Sequence, residues 1–180
     1  MGAFQTHKDK WSGCQRCDLH QARTRVVLAR GKLPADVLFI GEAPGASEDV
    51  LGKPFVGPAG KLLDRMIKDA TARLDLRVAI TNLICCIPKD KGSKIGEPPP
   101  EAIKACKPRL KEFVRIASPK LVVLVGKLAR CQGLDVVPAN LPLCTIAHPA
   151  YLLRLEIARR GLAIQRETIT LSDKVEAVFG

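Results

Sequence analysis

The stretch from Val37 to Leu63 constrains the fold more than any other part of the chain. It opens with Val37-Leu38-Phe39-Ile40, an apolar run too short for a helix and rich in strand formers. It then breaks into glycine and proline, from Gly41-Glu42-Ala43-Pro44-Gly45 to Gly57-Pro58, and resumes as an amphipathic pattern toward Leu63. That order predicts a strand, a loop and a helix. Loops after a strand's carboxyl end are the usual place for a site in an open parallel sheet, and this one carries Glu42, Glu48 and Asp49. By composition alone, a plain surface connection accounts for the same residues.

Similar units follow along the chain. Val78-Ala79-Ile80-Thr81 reads as a second strand, and a helix running toward Ala117 is stopped by Ser118-Pro119. Lys120 to Val125 is a continuous apolar strand, as expected where both faces of a sheet are covered. Gly126 to Gly133 reads as a short helix, Leu143 to Ala147 as a fourth strand, and Ser172 to Phe179 as a terminal helix. Strands alternating with helices predict an α/β fold, a three-layer α/β/α sandwich with a central four-stranded parallel sheet. At 180 residues with 47% hydrophobic content, the chain suits one domain over residues 1–180 with a substantial core.

Lys and Arg number 29 against 18 acids, a formal charge of +11, which favours a polyanionic partner. No apolar run reaches membrane-spanning length, and Met1 to Lys10 is polar, so the expectation is a soluble, cytoplasmic protein, a monomer with no membrane partner. Seven cysteines without a sign of secretion argue against a disulfide framework and for metal or cluster ligation. Cys14-x-x-Cys17 lets two thiolates grip one centre from a tight turn, as zinc and iron-sulfur sites both require. Cys131 and Cys144 fall in apolar settings that suit buried, inert thiols.

Gly41-Glu42-Ala43-Pro44-Gly45-x-x-Glu48-Asp49, followed by Gly52-x-Pro54-Phe55-Val56-Gly57-x-Ala59-Gly60-x-Leu62-Leu63-Asp64, resembles the uracil-DNA glycosylase superfamily, and within it the iron-sulfur-containing family 4. The likeness continues at Thr81-Asn82, at the cysteines and at His148-Pro149-Ala150-Tyr151-Leu152-Leu153-Arg154, covering about residues 14 to 155. The family places a cysteine four positions after the Asn of the Thr-Asn pair and a last one early in the next helix. This selects Cys86 and Cys106, so Cys14, Cys17, Cys86 and Cys106 are implied to hold a 4Fe-4S cluster; zinc remains the rival by count.

The resemblance implies a DNA repair enzyme of a prokaryotic or phage-infected cell that flips uracil out of single- or double-stranded DNA and hydrolyses its N-glycosidic bond, leaving an abasic site. Phe55 is implied to stack on the base and Asn82 to match its amide edge, with Gly41 and Ala43 lining the pocket. His148 is implied to donate to the oxygen on which negative charge builds, and Glu48 to orient or activate water, with Glu42 beside it. Asp49 is a further water partner, and either Glu48 or Asp49 also suits the cap of the next helix. Leu152 and Leu153 form an apolar tip that can wedge into the base stack, with Arg154 near phosphate.

The chain departs from the family at three places. Cys85 stands where a basic residue is more frequent, Ala150 where a serine is, and the segment between Gly133 and Leu143 is short. The loop from Lys89 to Pro100 offers Lys89, Lys91 and Lys94 to phosphate or to solvent, but lacks the histidine of a related group that traps itself covalently on DNA. A catalytically weak or inactive DNA-binding replication accessory on the same scaffold is the competing reading, and a hydrolase of small nucleotides is a third that leaves the charge unexplained.

Overall fold

The structure, a computed structural model, describes residues 2–89 and 94–180. Its sheet has five strands in the order β1-β3-β2-β4-β5: β1 Ala29–Gly31, β2 Val37–Gly41, β3 Val78–Asn82, β4 Leu121–Val125 and β5 Leu143–Ile146. The last four are parallel and match the expected central sheet. β1 runs antiparallel to β3 and extends that edge. Three residues, Ala-Arg-Gly, carry no strand signal of their own; β1 forms because β3 offers it a ladder.

The helices are α1 Ala3–Trp11, α2 Ala46–Leu51, α3 Pro58–Ala70, α4 Pro100–Ala117, α5 Lys127–Gln132, α6 Pro149–Arg154 and α7 Ile157–Phe179. Side-chain alternation along β2 divides the core. Val37 and Phe39, with Ile80, Val123 and Val125, face Leu63 and Met66 of α3, Leu152 of α6, and Leu171 and Val175 of α7. Leu38 and Ile40, with Ala79, Val122 and Leu124, face Leu110, Phe113 and Val114 of α4. Both faces are covered, so β2 and β4 are buried throughout and read as unbroken apolar runs. A third cluster, Trp11, Leu19, Leu28, Ile84 and Ile103 with three cysteines, seals the region between α1, the loop after β3 and the start of α4.

The terminal helix is longer than Ser172 to Phe179. It begins at Ile157, and its inner stripe of Ile164, Leu171, Val175 and Val178 packs on the α3 side of the core. Exposed Arg159 and Arg166 on the outer face mask that period in the sequence. The short connection after Gly133 holds a single 3-10 turn, Leu134–Val136, whose Val136 closes the α4 side of the core. Among the described residues, no helix is long and apolar enough to cross a membrane.

Candidate active site

The parallel strands end at one edge of the sheet and deliver the candidate residues there. Gly41 and Asn82 are register partners at the ends of β2 and β3. Asn82 is 1% exposed, and neither Nδ2 nor Oδ1 has a hydrogen-bond partner among the described residues. Buried amides are normally satisfied, so this side chain presents an unused donor and an unused acceptor. A β-carbon on Gly41 would stand 2.4 Å from the Phe55 ring and 2.6 Å from Asn82 Oδ1. Glycine at this position keeps open the space between ring and amide.

Phe55 is held in place by its backbone. Its φ of 54° is left-handed, which costs a non-glycine residue roughly 1–3 kcal/mol unless the surroundings enforce it. They do so from three sides. Arg30 on β1 donates from Nε to the Pro54 carbonyl (2.8 Å) and from Nη2 to the Phe55 carbonyl (3.1 Å), and pairs with Asp64. Gly60 in the first turn of α3 approaches so closely that a β-carbon there would lie 1.9 Å from the Phe55 carbonyl oxygen. Glu48, in the first turn of α2, accepts from the amides of Val56 (2.9 Å) and Gly57 (2.8 Å) with one oxygen and from Gly45 (3.1 Å) with the other.

His148 is the N-cap of α6. Its Nδ1 accepts from the Ala150 amide at 3.2 Å, so the neutral ring carries its proton on Nε2. Burial lowers its pKa below the ordinary 6.5, and Arg154 lowers it further against an opposing pull from Glu48. The ring faces Phe55 at a centroid distance of 5.8 Å. Glu167 of α7 fixes the approach by accepting from the Ala147 amide at 2.7 Å.

Glu48, Phe55 and His148 border a cavity of about 350 Å³, lined also by Glu42, Ala43 and Arg154; Gly41 and Asn82 do not line it, and Gly41 stands against the Phe55 ring that does. Its two carboxylates differ. Both Glu48 oxygens are occupied by backbone amides, whereas Glu42 takes no hydrogen bond among the described residues. Burial raises the Glu42 pKa above the ordinary 4.5, with Glu97 adding to the rise and Arg154 opposing it. Asp49 is 1% exposed and points away from the cavity, accepting from the amides of Thr24 and Arg25 and pairing with Lys89. Burial pushes its pKa up, but these bonds outweigh that and hold it below the ordinary value.

Lys89 is therefore engaged by Asp49, and Lys91 lies outside the described residues. Of the tip residues, Leu152 is 1% exposed and packs in the core, Leu153 is half-buried, and Tyr151 is the exposed side chain of the turn. A helix that must bury its i and i+3 positions cannot present Leu152 to solvent.

Cys85, Cys86 and Cys106 are buried in the third cluster, and Cys14 and Cys17 pack against it, so five thiols from three distant segments share one neighbourhood. Cys85 and Cys106 are 3.8 Å apart, and Arg23 Nη1 donates to Cys86 Sγ at 3.3 Å. Among the described residues, no group of three or more His, Cys, Asp or Glu is arranged to hold a metal ion. Cys144 is buried as expected, but Cys131 is exposed: it sits on the outer side of α5, beside a second hollow lined by Lys127, His148 and Tyr151.

The family model for the uracil DNA glycosylase superfamily matches residues 28–166. The chain belongs to the uracil DNA glycosylase superfamily. It is 39% identical to the type-4 uracil-DNA glycosylase of Sulfurisphaera tokodaii over 71% of this chain and 56% of that relative. To the type-4 uracil-DNA glycosylase of Pyrobaculum aerophilum it is 32% identical over 78% of this chain and 80% of that one. The chain spans about half the length of the first of these relatives and of its counterpart in Saccharolobus solfataricus, 56% and 53%. A solution NMR structure of a candidate uracil DNA glycosylase from Methanosarcina acetivorans shares the fold, with a TM-score of 0.51 and 12% identity over 82% of this chain and 98% of that one. In superfamily terms, every block quoted above falls inside the matched region except Cys14-x-x-Cys17.

Sequence reading missed the residues that hold the site. Arg30 and Glu167 give no signal, because each acts on backbone far away in the chain. Arg109 does give one: it interrupts the apolar stripe of α4 formed by Ala102, Ile103, Cys106, Leu110 and Phe113.

Proposed function

We propose that the chain is a DNA repair glycosylase that seats an everted uracil in the cavity and hydrolyses its N-glycosidic bond, leaving an abasic site. The observation that carries this reading is the unpartnered Asn82 amide, buried beside Gly41, which also abuts the Phe55 ring that faces the His148 imidazole. A donor and an acceptor on one rigid amide complement the imide edge of uracil and mismatch cytosine.

The base stacks on Phe55, in the gap that Gly41 leaves open. As the glycosidic bond breaks, its electrons pass to the base, and the Nε2 proton of His148 stabilises the negative oxygen. Water adds at the anomeric carbon, and its proton passes to a carboxylate. Glu42 suits this task better than Glu48, because its oxygens are free of backbone bonds and its pKa is raised toward neutrality. Glu48 instead holds the Phe55 loop. Arg154 and the +11 charge favour phosphate, and insertion into the stack falls to Leu153 and Tyr151, since Leu152 is buried.

Cys14, Cys17, Cys86 and Cys106 fit a 4Fe-4S cluster better than zinc. The donors are thiols in an apolar shell, and a guanidinium hydrogen bond to Cys86 is of the kind that tunes iron-sulfur centres. Such a cluster would supply structural cross-linking between the N-terminal segment, the loop after β3 and α4. A brown preparation with stoichiometric iron supports it; a colourless one with stoichiometric zinc refutes it.

A single-turnover assay on a uracil-containing oligonucleotide, followed by alkaline cleavage at abasic sites, tests the activity. Strand scission at the uracil position is expected. No product at stoichiometric protein would leave the DNA-binding accessory on the same scaffold.

A further inference from the structure

Arg109 is 1% exposed in the middle of α4, and among the described residues no carboxylate pairs with it. Such a cation is rare in a core, because burying an unpaired charge is costly. Its bonds all go to one place. Nη1 donates to Thr81 Oγ1 at 2.9 Å, and Nη2 donates to the carbonyls of Asn82 at 2.6 Å and Leu83 at 3.0 Å. Thr81 Oγ1 in turn donates to the Leu28 carbonyl at 2.7 Å. The guanidinium thus holds the Thr81 hydroxyl before the Asn82 side chain and two carbonyls after it, at the end of β3, where the Leu83 amide also donates to the Gly41 carbonyl at 2.9 Å.

The other flank of Arg109 faces sulfur. Cys106 lies one turn earlier on the same buried stripe of α4, and Cys85 is 3.8 Å from Cys106. The hydrogen bond with Cys85 and burial raise the Cys106 pKa, and that of Cys85 is pushed up to about 11, so the thiols themselves supply no opposing charge. Buried His7, itself paired with Glu112, also lies within electrostatic reach of the guanidinium.

We propose that Arg109 is the positioning residue that aims the Asn82 amide at the everted base: its guanidinium holds the Thr81 hydroxyl and the Asn82 and Leu83 carbonyls, and so sets the turn from which that side chain projects. This rests on the glycosylase reading for the role of Asn82. A neutral residue at position 109 would deprive the two carbonyls of the guanidinium and leave the end of β3 held by the Leu83 and Ile84 amides alone, so the Asn82 side chain would be less firmly aimed.

The test is a double-mutant cycle in the full chain with Asn82→Ala, Arg109→Met and both together, using single-turnover excision on a uracil oligonucleotide. Iron content and visible absorbance of each preparation are read in parallel. Arg109→Met should slow excision by about tenfold or more, and the same change in the Asn82→Ala background should do almost nothing. Arg109→Lys, which keeps the charge but not the forked bonds, should retain iron while still slowing excision. If Arg109→Met does not fold, the cycle is run with Arg109→Lys.

Effects that multiply independently, or an Arg109→Met protein with the wild-type rate, would overturn the positioning role alone. Wild-type excision by Asn82→Ala would overturn the role of Asn82 first, and the positioning role with it.

Discussion

The Phe55 ring and the His148 imidazole face each other at 5.8 Å with their planes 31° apart, although one belongs to the loop before α3 and the other to the start of α6. The gap beside them is the proposed seat for a flipped base. Base stacking on an aromatic ring contributes ~1–3 kcal/mol, so Phe55→Ala should slow single-turnover excision by roughly 5- to 150-fold. His148→Ala and Asn82→Ala should each lower excision strongly while affinity for undamaged DNA, read by fluorescence anisotropy, stays largely intact. Full activity in both of those variants would remove them from the mechanism.

Gly41→Ala tests the seat itself. The added methyl would sit 2.4 Å from the Phe55 ring, so the ring or the amide must move into the space meant for the base. Excision should fall by at least about tenfold with little change in melting temperature, since the cavity side absorbs the shift. A variant as fast as the parent would show that no ligand occupies this gap.

Glu42 and Glu48 should separate in two assays. Glu42→Gln should cut the excision rate by about 10²- to 10⁴-fold and leave the melting temperature near the parent value. Glu48→Ala removes the acceptor of three backbone amides and should destabilise the fold by ~1–3 kcal/mol, seen as a lower melting temperature. An inactive Glu48→Ala protein with unchanged stability would return the water-activating role to Glu48.

The pH profile follows from opposite shifts. The Glu42 carboxyl is raised above 4.5 and is lost as a base when pH falls through that raised value. The His148 pKa is lowered below 6.5, so the ring stays a neutral Nε2 donor when pH drops from neutral to 6.5. Single-turnover rates should therefore fall on the acid side at a pH above 4.5, as Glu42 takes up its proton, and the part of the loss due to His148 should begin only below pH 6.5. Full rate persisting below pH 4.5 would contradict the Glu42 direction, and a decline centred above pH 6.5 that Glu42→Gln still shows would contradict the His148 direction.

The thiols should divide by exposure. Maleimide should label Cys131 readily in the folded protein and Cys144 only after unfolding. If the thiols hold the proposed cluster, stripping its metal with a chelator under reducing conditions should lower the melting temperature, because the segment carrying Cys14 and Cys17 would lose its tie to α4. Unchanged melting after metal loss would rule out a structural role.

Much of the fold was legible because its signals are local. β2, β4 and β5 announce themselves as apolar runs, and the glycine-proline loop after β2 marks where the chain must turn. β1 and the first half of α7 were not legible: the one is a strand only because β3 stands beside it, and the other hides its apolar stripe among arginines. The candidate residues Gly41, Phe55, Asn82 and His148 were readable from their motif blocks, but the division of labour between Glu42 and Glu48 was not. Nothing in a carboxylate's neighbours in sequence reveals that Val56 and Gly57 turn their amides toward it.

Sequence alone determined the parallel α/β order, the cysteine spacing and the blocks that end up around the cavity, since these depend on period and on residue type. Tertiary structure alone decided that Leu152 is buried, that Cys131 is exposed and that Arg109 reaches the carbonyls of Asn82 and Leu83. Burial and hydrogen-bond partnership are relations between segments far apart in the chain, and they exist only once the layers have packed.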